Sequence, residues 1–100
     1  MLLAKVIGTV VSTRKEEKMS GMKFLLLKPV DIEAQPLSGQ VVAVDAVGAG
    51  LGEMVLYATG SSARQTELTK DRPCDAVIMA IVDNWEVDGV IKYKKGQSDQ

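Results

Sequence analysis

Val41 to Val47 reads VVAVDAV, and Cys74 to Val82 reads CDAVIMAIV. Six of the first seven residues and eight of the second nine are apolar, and Val and Ile dominate, as in buried strands. Successive side chains on a strand point to opposite faces. Val42, Val44 and Ala46 therefore face one way while Val41, Ala43 and Val47 face the other, and both faces want to be dry. A small antiparallel barrel has one packed interior and a wetted outer side. A second sheet or a partner subunit must cover the outside, and the chain is short of material for a second layer. Large apolar patches are rare on monomers, so a homo-oligomer is expected.

Outward from these two strands the rest of the chain reads as more strand. Leu2 to Val11 (LLAKVIGTVV) is rich in β-branched residues, and Ser12 to Lys18 is a charged hairpin connection closing near Gly21. Lys23 to Pro29 is a second strand, Asp31 to Gly39 a Pro- and Gly-punctuated loop, and Met54 to Ala58 a fourth strand. Ser62 followed by Gln65 has capping-box spacing and predicts a short helical turn from about Ala63. Asp71-Arg72-Pro73 is a turn, and Trp85 to Tyr93 is a final strand or a hairpin about Asp88-Gly89. The expected fold is all-β: a small five-stranded OB-like barrel with one short helix, a sandwich being the other arrangement considered. Residues 1–93 form the single domain, and 94–100 read as a frayed tail.

Composition narrows the function. Twelve Lys and Arg against thirteen Asp and Glu leave a net charge of -1, which provides no field for nucleic acid or an anionic membrane. With no His in 100 residues, the usual proton shuttle and commonest metal ligand are missing. The single Cys74 cannot form an intrachain disulfide, and nothing resembles a cleavable signal peptide, so a reducing cytoplasm fits. No apolar run approaches the ~20 residues of a membrane span.

Enzyme readings find little to work with. Cys74 has no His to activate it and reads as a small buried hydrophobe. Asp45 and Asp75 are single acids in apolar strands; they read as acceptors for a neighbouring loop or for Arg64 or Arg72 rather than as a catalytic dyad. Gly48-Ala49-Gly50-Leu51-Gly52 is a phosphate-cradling loop in miniature, but Glu53 and another strand follow it where a helix is needed. A crowded turn that exploits glycine's positive φ fits better, at a place where copies converge. No cofactor or metal is expected. An oligonucleotide-binding module is the alternative for such a barrel, but four aromatics and balanced charge make a poor stacking groove.

Five collinear blocks carry a resemblance: Leu3 to Ser12, Lys23 to Leu27, Asp45 to Glu53, Gly60 to Arg64, and Arg72 to Ala76 through Ile81-Val82-Asp83. Together they resemble the EutN/CcmL family of pentameric vertex proteins of bacterial microcompartment shells, from residue 2 to about 93. Cys74, where members often carry an aliphatic residue, is the main departure. The resemblance implies a cyclic homopentamer without catalytic activity, in the shell of a microcompartment in the bacterial cytoplasm. It would close a polyhedral shell among hexameric and pseudohexameric shell proteins, with neither nucleic acid nor membrane as partner. It also implies Gly48, Ala49, Gly50, Leu51 and Gly52 as the pore or fivefold-axis loop. Glu53, Gly60, Ser61, Ser62, Ala63 and Arg64 are implied at the subunit interface, Arg64 holding carbonyls or a carboxylate such as Glu53.

Overall fold

A computed structural model describes residues 1–13, 15–70 and 75–96. Five strands, β1 (Leu2–Val10), β2 (Phe24–Pro29), β3 (Val41–Asp45), β4 (Met54–Thr59) and β5 (Ala76–Ile81), close into a barrel in the order β1-β2-β3-β5-β4. All neighbours are antiparallel except β3 and β5. Extra residues make bulges in β1 after Val6 and in β5 opposite Leu56/Tyr57, and bulges of this kind bend strands enough to close a small barrel.

The interior is filled by alternate residues of each strand. Ala4, Val6, Leu25, Leu27, Ala43, Val55, Tyr57 and Ile78 form one buried cluster, and Leu25, Leu27 and Ile78 are at most 1% exposed. Each such side chain contributes roughly 2 kcal/mol by leaving water.

The doubly apolar strands are explained in part within one chain. Val44 and Val77 point outward yet are buried, in a second cluster with Met22, Ala58 and Ala63, flanked by Met19, Phe24, Leu68 and Met79. The connections of residues 17–22 and 60–70 thus supply the outer layer that the sequence seemed too short to provide. The cover is incomplete: Val42 remains 48% exposed and Val47 41%.

Two local expectations shift and one is resolved. Residues Gly60–Arg64 form a 3-10 turn, not an α-helix; Thr59 occupies the N-cap without a side-chain bond, and Gln65 lies at the C-cap. The Ser62/Gln65 capping box does not form, because Gly60, at φ 63°, starts the turn two residues earlier. Of the two readings for Trp85 to Tyr93, the hairpin about Asp88-Gly89 is the one that forms, and it stands outside the barrel. It is an arm of two strands, β6 (Asn84–Val87) and β7 (Val90–Lys94), joined at Asp88 (φ 52°) and Gly89 (φ 80°), the paired positive φ of a tight hairpin turn. Finally, the start of the expected tail is ordered: Lys94 belongs to β7, and the Lys95 N–H donates to the Asp83 carbonyl at 2.7 Å. Cys74 and the Asp71-Arg72-Pro73 turn lie outside the described residues, as does Arg14.

Candidate functional site

The loop after β3 is built around one acid. Asp45 is 8% exposed, and its Oδ1 accepts the backbone N–H groups of Val47, Gly48 and Ala49 at 3.1, 3.0 and 3.2 Å. Three donors gathered on one carboxylate oxygen turn the chain sharply and end β3 two residues before the apolar run does. Lys23 Nζ stands 4.0 Å from Oδ2. The acceptor role read for Asp45 is thus filled by the adjacent loop.

Ala49 drops into the barrel interior, 2% exposed. Positive φ at Gly48 (80°) and Gly52 (82°) brings the chain in and out again. Gly50 has no such φ, so its role differs from theirs. The loop is then stitched to β1, with Gly52 N–H donating to the Val6 carbonyl and Val6 N–H to the Glu53 carbonyl, both at 2.9 Å. Leu51 is left 69% exposed at the tip.

Glu53 closes the loop. Its Oε1 accepts from Gly50 N–H at 2.6 Å, and its Oε2 from Lys95 Nζ at 2.7 Å. The lysine ammonium, then the Gly50 amide, hold its carboxyl below the ordinary 4.5, while the same bond raises Lys95 above 10.5. The arm also holds the loop after β2: Trp85 Nε1 donates to the Ile32 carbonyl at 2.8 Å, Lys92 pairs with Glu33 at 3.1 Å, and Trp85 stacks on Tyr93 with ring centroids 5.0 Å apart. A cleft of about 450 Å³ lies between arm and barrel. Both glutamates bordering it are held by lysines, an arrangement for structure rather than proton transfer.

The second candidate segment, Gly60 to Arg64, lies at the far end of β4. Gly60 N–H donates to the Asp75 carbonyl at 2.9 Å, and Ala63, fully buried, pins the turn to the outer wall. Gly60, Ser61, Ser62 and Arg64 are exposed. The six residues of β4 separate Glu53 from Arg64 by about 20 Å at ~3.3 Å per residue, so the two cannot pair within one subunit. Lys95 takes that place on Glu53.

Sequence reasoning missed Lys95, which sat in the assigned tail, and Thr69. Thr69 is fully buried, and its hydroxyl lies 2.6 Å from that of Thr66, locking the turn after Arg64. The Thr-x-x-Thr spacing was the available signal. Among the described residues no cluster of His, Cys, Asp and Glu could hold a metal ion.

Residues 1–83 match the family described as ethanolamine utilisation protein EutN/carboxysome. The carboxysome shell vertex protein CcmL of Gloeobacter violaceus is 50% identical over 95% of both chains, and its solved structure superposes with a TM-score of 0.91, covering 95% of this chain and 98% of that one. The microcompartment shell vertex protein PduN of Salmonella typhimurium is 46% identical, over 83% of this chain and 96% of its own. The solved GrpN pentameric microcompartment shell protein of Rhodospirillum rubrum, at 46% identity, has a TM-score of 0.80 and covers 87% of this chain and 99% of that one.

Proposed function

The chain belongs to the EutN/CcmL family, and on that premise we propose that five copies form a vertex that seats among hexameric shell proteins and closes a polyhedral compartment. The protein is a structural shell vertex protein of a bacterial microcompartment. Its contribution is geometric. A flat sheet of sixfold tiles cannot close on itself, and a fivefold tile supplies the curvature at each corner.

One observation carries this reading: the collinear match runs through every barrel strand to relatives that are themselves vertex proteins, one of them a solved pentamer. The site supports it. Asp45 and Glu53, the acids of the Gly48–Gly52 loop, spend their oxygens on backbone amides and lysine, so the loop is an organised surface feature without free chemistry. The aromatics that base stacking would need are committed too, Tyr57 to the core and Trp85 to Tyr93. The Gly48–Gly52 loop is the candidate lining of the fivefold axis, with Glu53 and Gly60 to Arg64 at the subunit boundary. Residence in the bacterial cytoplasm follows from the same reading.

Native mass spectrometry, then electron microscopy of shells co-expressed with hexameric shell proteins, tests it. The expected mass is five times 10.7 kDa, and shells lacking the protein should be open or elongated while purified cargo enzymes keep their turnover. A monomer, or closed shells formed without this or any similar pentamer, would overturn it.

A further inference from the structure

The vertex role leaves the cleft between arm and barrel without a task. We infer that it binds a small organic phosphate, a phosphate monoester on a body of a few carbons.

Charge is the first ground. Four lysines, Lys5, Lys92, Lys94 and Lys95, line the cleft with two acids, Glu33 and Glu53. Lys92 holds Glu33 at 3.1 Å and Lys95 holds Glu53 at 2.7 Å. The lining therefore carries an excess of two positive charges, on a chain whose net charge is -1. Just outside it, Lys28 stands opposite Lys5 on β2 and Asp83 acts on Lys95, and these two cancel. A concave wall concentrates the field of such an excess, so anions gather here although the whole molecule is slightly acidic. A phosphate monoester carries about -1.5 to -2 at neutral pH, which matches the excess, and lysine ammonium groups hold phosphate well as point charges.

Rigidity is the second ground. Asp31 Oδ1 accepts the N–H groups of Glu33 and Gln35 at 2.9 and 3.0 Å, and the Asp31 N–H donates to the Gln35 carbonyl at 2.9 Å. Inside this closed loop Ala34, on the cleft wall, is held at φ 63°. That left-handed conformation is costly for a residue with a Cβ, and strain of this kind is retained where a fold fixes a ligand clamp. Another stretch of the wall is the turn closed by Glu53 on the Gly50 amide. Both loops are set before anything binds, and the arm is tied to each by one ion pair.

Size decides the body of the ligand. About 450 Å³ is the room of a small-molecule site and more than a bare oxyanion fills. Leu51, 69% exposed, Met54 and the Tyr93 ring supply apolar lining for the carbons. A polynucleotide is a poor occupant, because the two glutamates repel every phosphate beyond the first.

Phenyl phosphate, inorganic phosphate and phenol are the probes, each titrated at low salt into the isotope-labelled full chain and followed by amide chemical shifts. Phenyl phosphate should saturate in the millimolar range and move the amides of Ala34, Gly52 and Lys94 while those of β3 stay in place. Inorganic phosphate, which buries no carbon, should bind about tenfold more weakly, and phenol should not bind. Lys5→Met and Lys94→Met should each weaken phenyl phosphate about fivefold. Gln35→Glu, which adds a third acid at an exposed position of nearly the same shape, should do the same. Lys18→Met removes an equal charge from the connection beyond the far end of β1 and should change nothing. An equal loss in Lys18→Met would reduce the effect to general attraction and overturn the site. Binding without saturation, shifts centred elsewhere, or inorganic phosphate binding as tightly as the ester would overturn it too. Should Lys5→Met unfold, the exposed Lys94 and Gln35 positions decide the same question.

Discussion

Lys95 Nζ lies 2.7 Å from Glu53 Oε2, across 42 residues of sequence. The bond ties the end of the C-terminal arm to the loop between β3 and β4, and through Glu53 Oε1 it reaches the Gly50 amide. An arm outside the barrel, and beyond the 83 residues of the family match, thus helps set the conformation of the loop proposed above to line the fivefold axis.

Lys95→Met should free Glu53 to rotate and expose the Gly50 amide. Hydrogen exchange at Gly50 should accelerate while the exchange of β2 and β4 amides stays as before. Both groups are near solvent, where such pairs contribute little to global stability, so the melting temperature should scarcely move. Unchanged exchange at Gly50 would show that the backbone holds the loop without the pair.

The same clamp should respond to pH. A carboxyl held below its free value strengthens the folded state above that value and loses the contribution as pH falls through its own lowered pKa. Glu53 is held below 4.5, so Gly50 protection should be flat through neutral pH and fall only on the acid side of 4.5. Lys95 is raised above 10.5; its contribution is complete below that value and lost as pH rises through the higher one. In Lys95→Met the alkaline change should disappear.

Asp45→Ala removes an acceptor serving three amides in a part-buried turn. The cost should be about 2 kcal/mol or more, since hydrogen bonds to a charged group contribute roughly 1.5–3 kcal/mol. Asp45→Asn keeps an oxygen in place and should cost less. Urea unfolding at one fixed protein concentration compares the two, and equal losses would refute the acceptor role.

Glycines within the loop should differ sharply. Gly52→Ala puts a Cβ on a residue at φ 82° and should cost about 1 kcal/mol. At Gly50 the φ is ordinary and a Cβ would meet Glu53 Oε1 at 3.5 Å, so Gly50→Ala should be nearly neutral to folding. Thermal melts of the two variants decide it; the reverse order would mean the loop is misassigned.

Ala63→Leu should lift the 60–64 turn off the barrel wall. Ala63 is fully buried against Val44, Ala58 and Val77, and overfilling such a site costs about 1–3 kcal/mol. Faster exchange in residues 60–70, with β1 and β2 amides unchanged, would confirm a local detachment. Global unfolding at a much lower temperature would instead make the turn part of the core.

The amino-acid sequence by itself determined the strands and the demand for cover on both of their faces. Val41 to Asp45 and Ala76 to Ile81 carry that information residue by residue, because the period of a strand and the preference of Val and Ile for it are local properties. The Asp88-Gly89 turn and the acceptor role of Asp45 are local in the same way, resting on φ and on amides two to four residues away. Tertiary structure alone decided which groups meet across long separations. Within one subunit Glu53 meets Lys95 and is kept from Arg64, because β4 runs its full length between the candidate loops. Val44 and Val42, two residues apart on one outward face, met different fates because the 17–22 and 60–70 connections fold over one and miss the other. No local pattern encodes such coverage, since it depends on where a closed barrel carries its own connections.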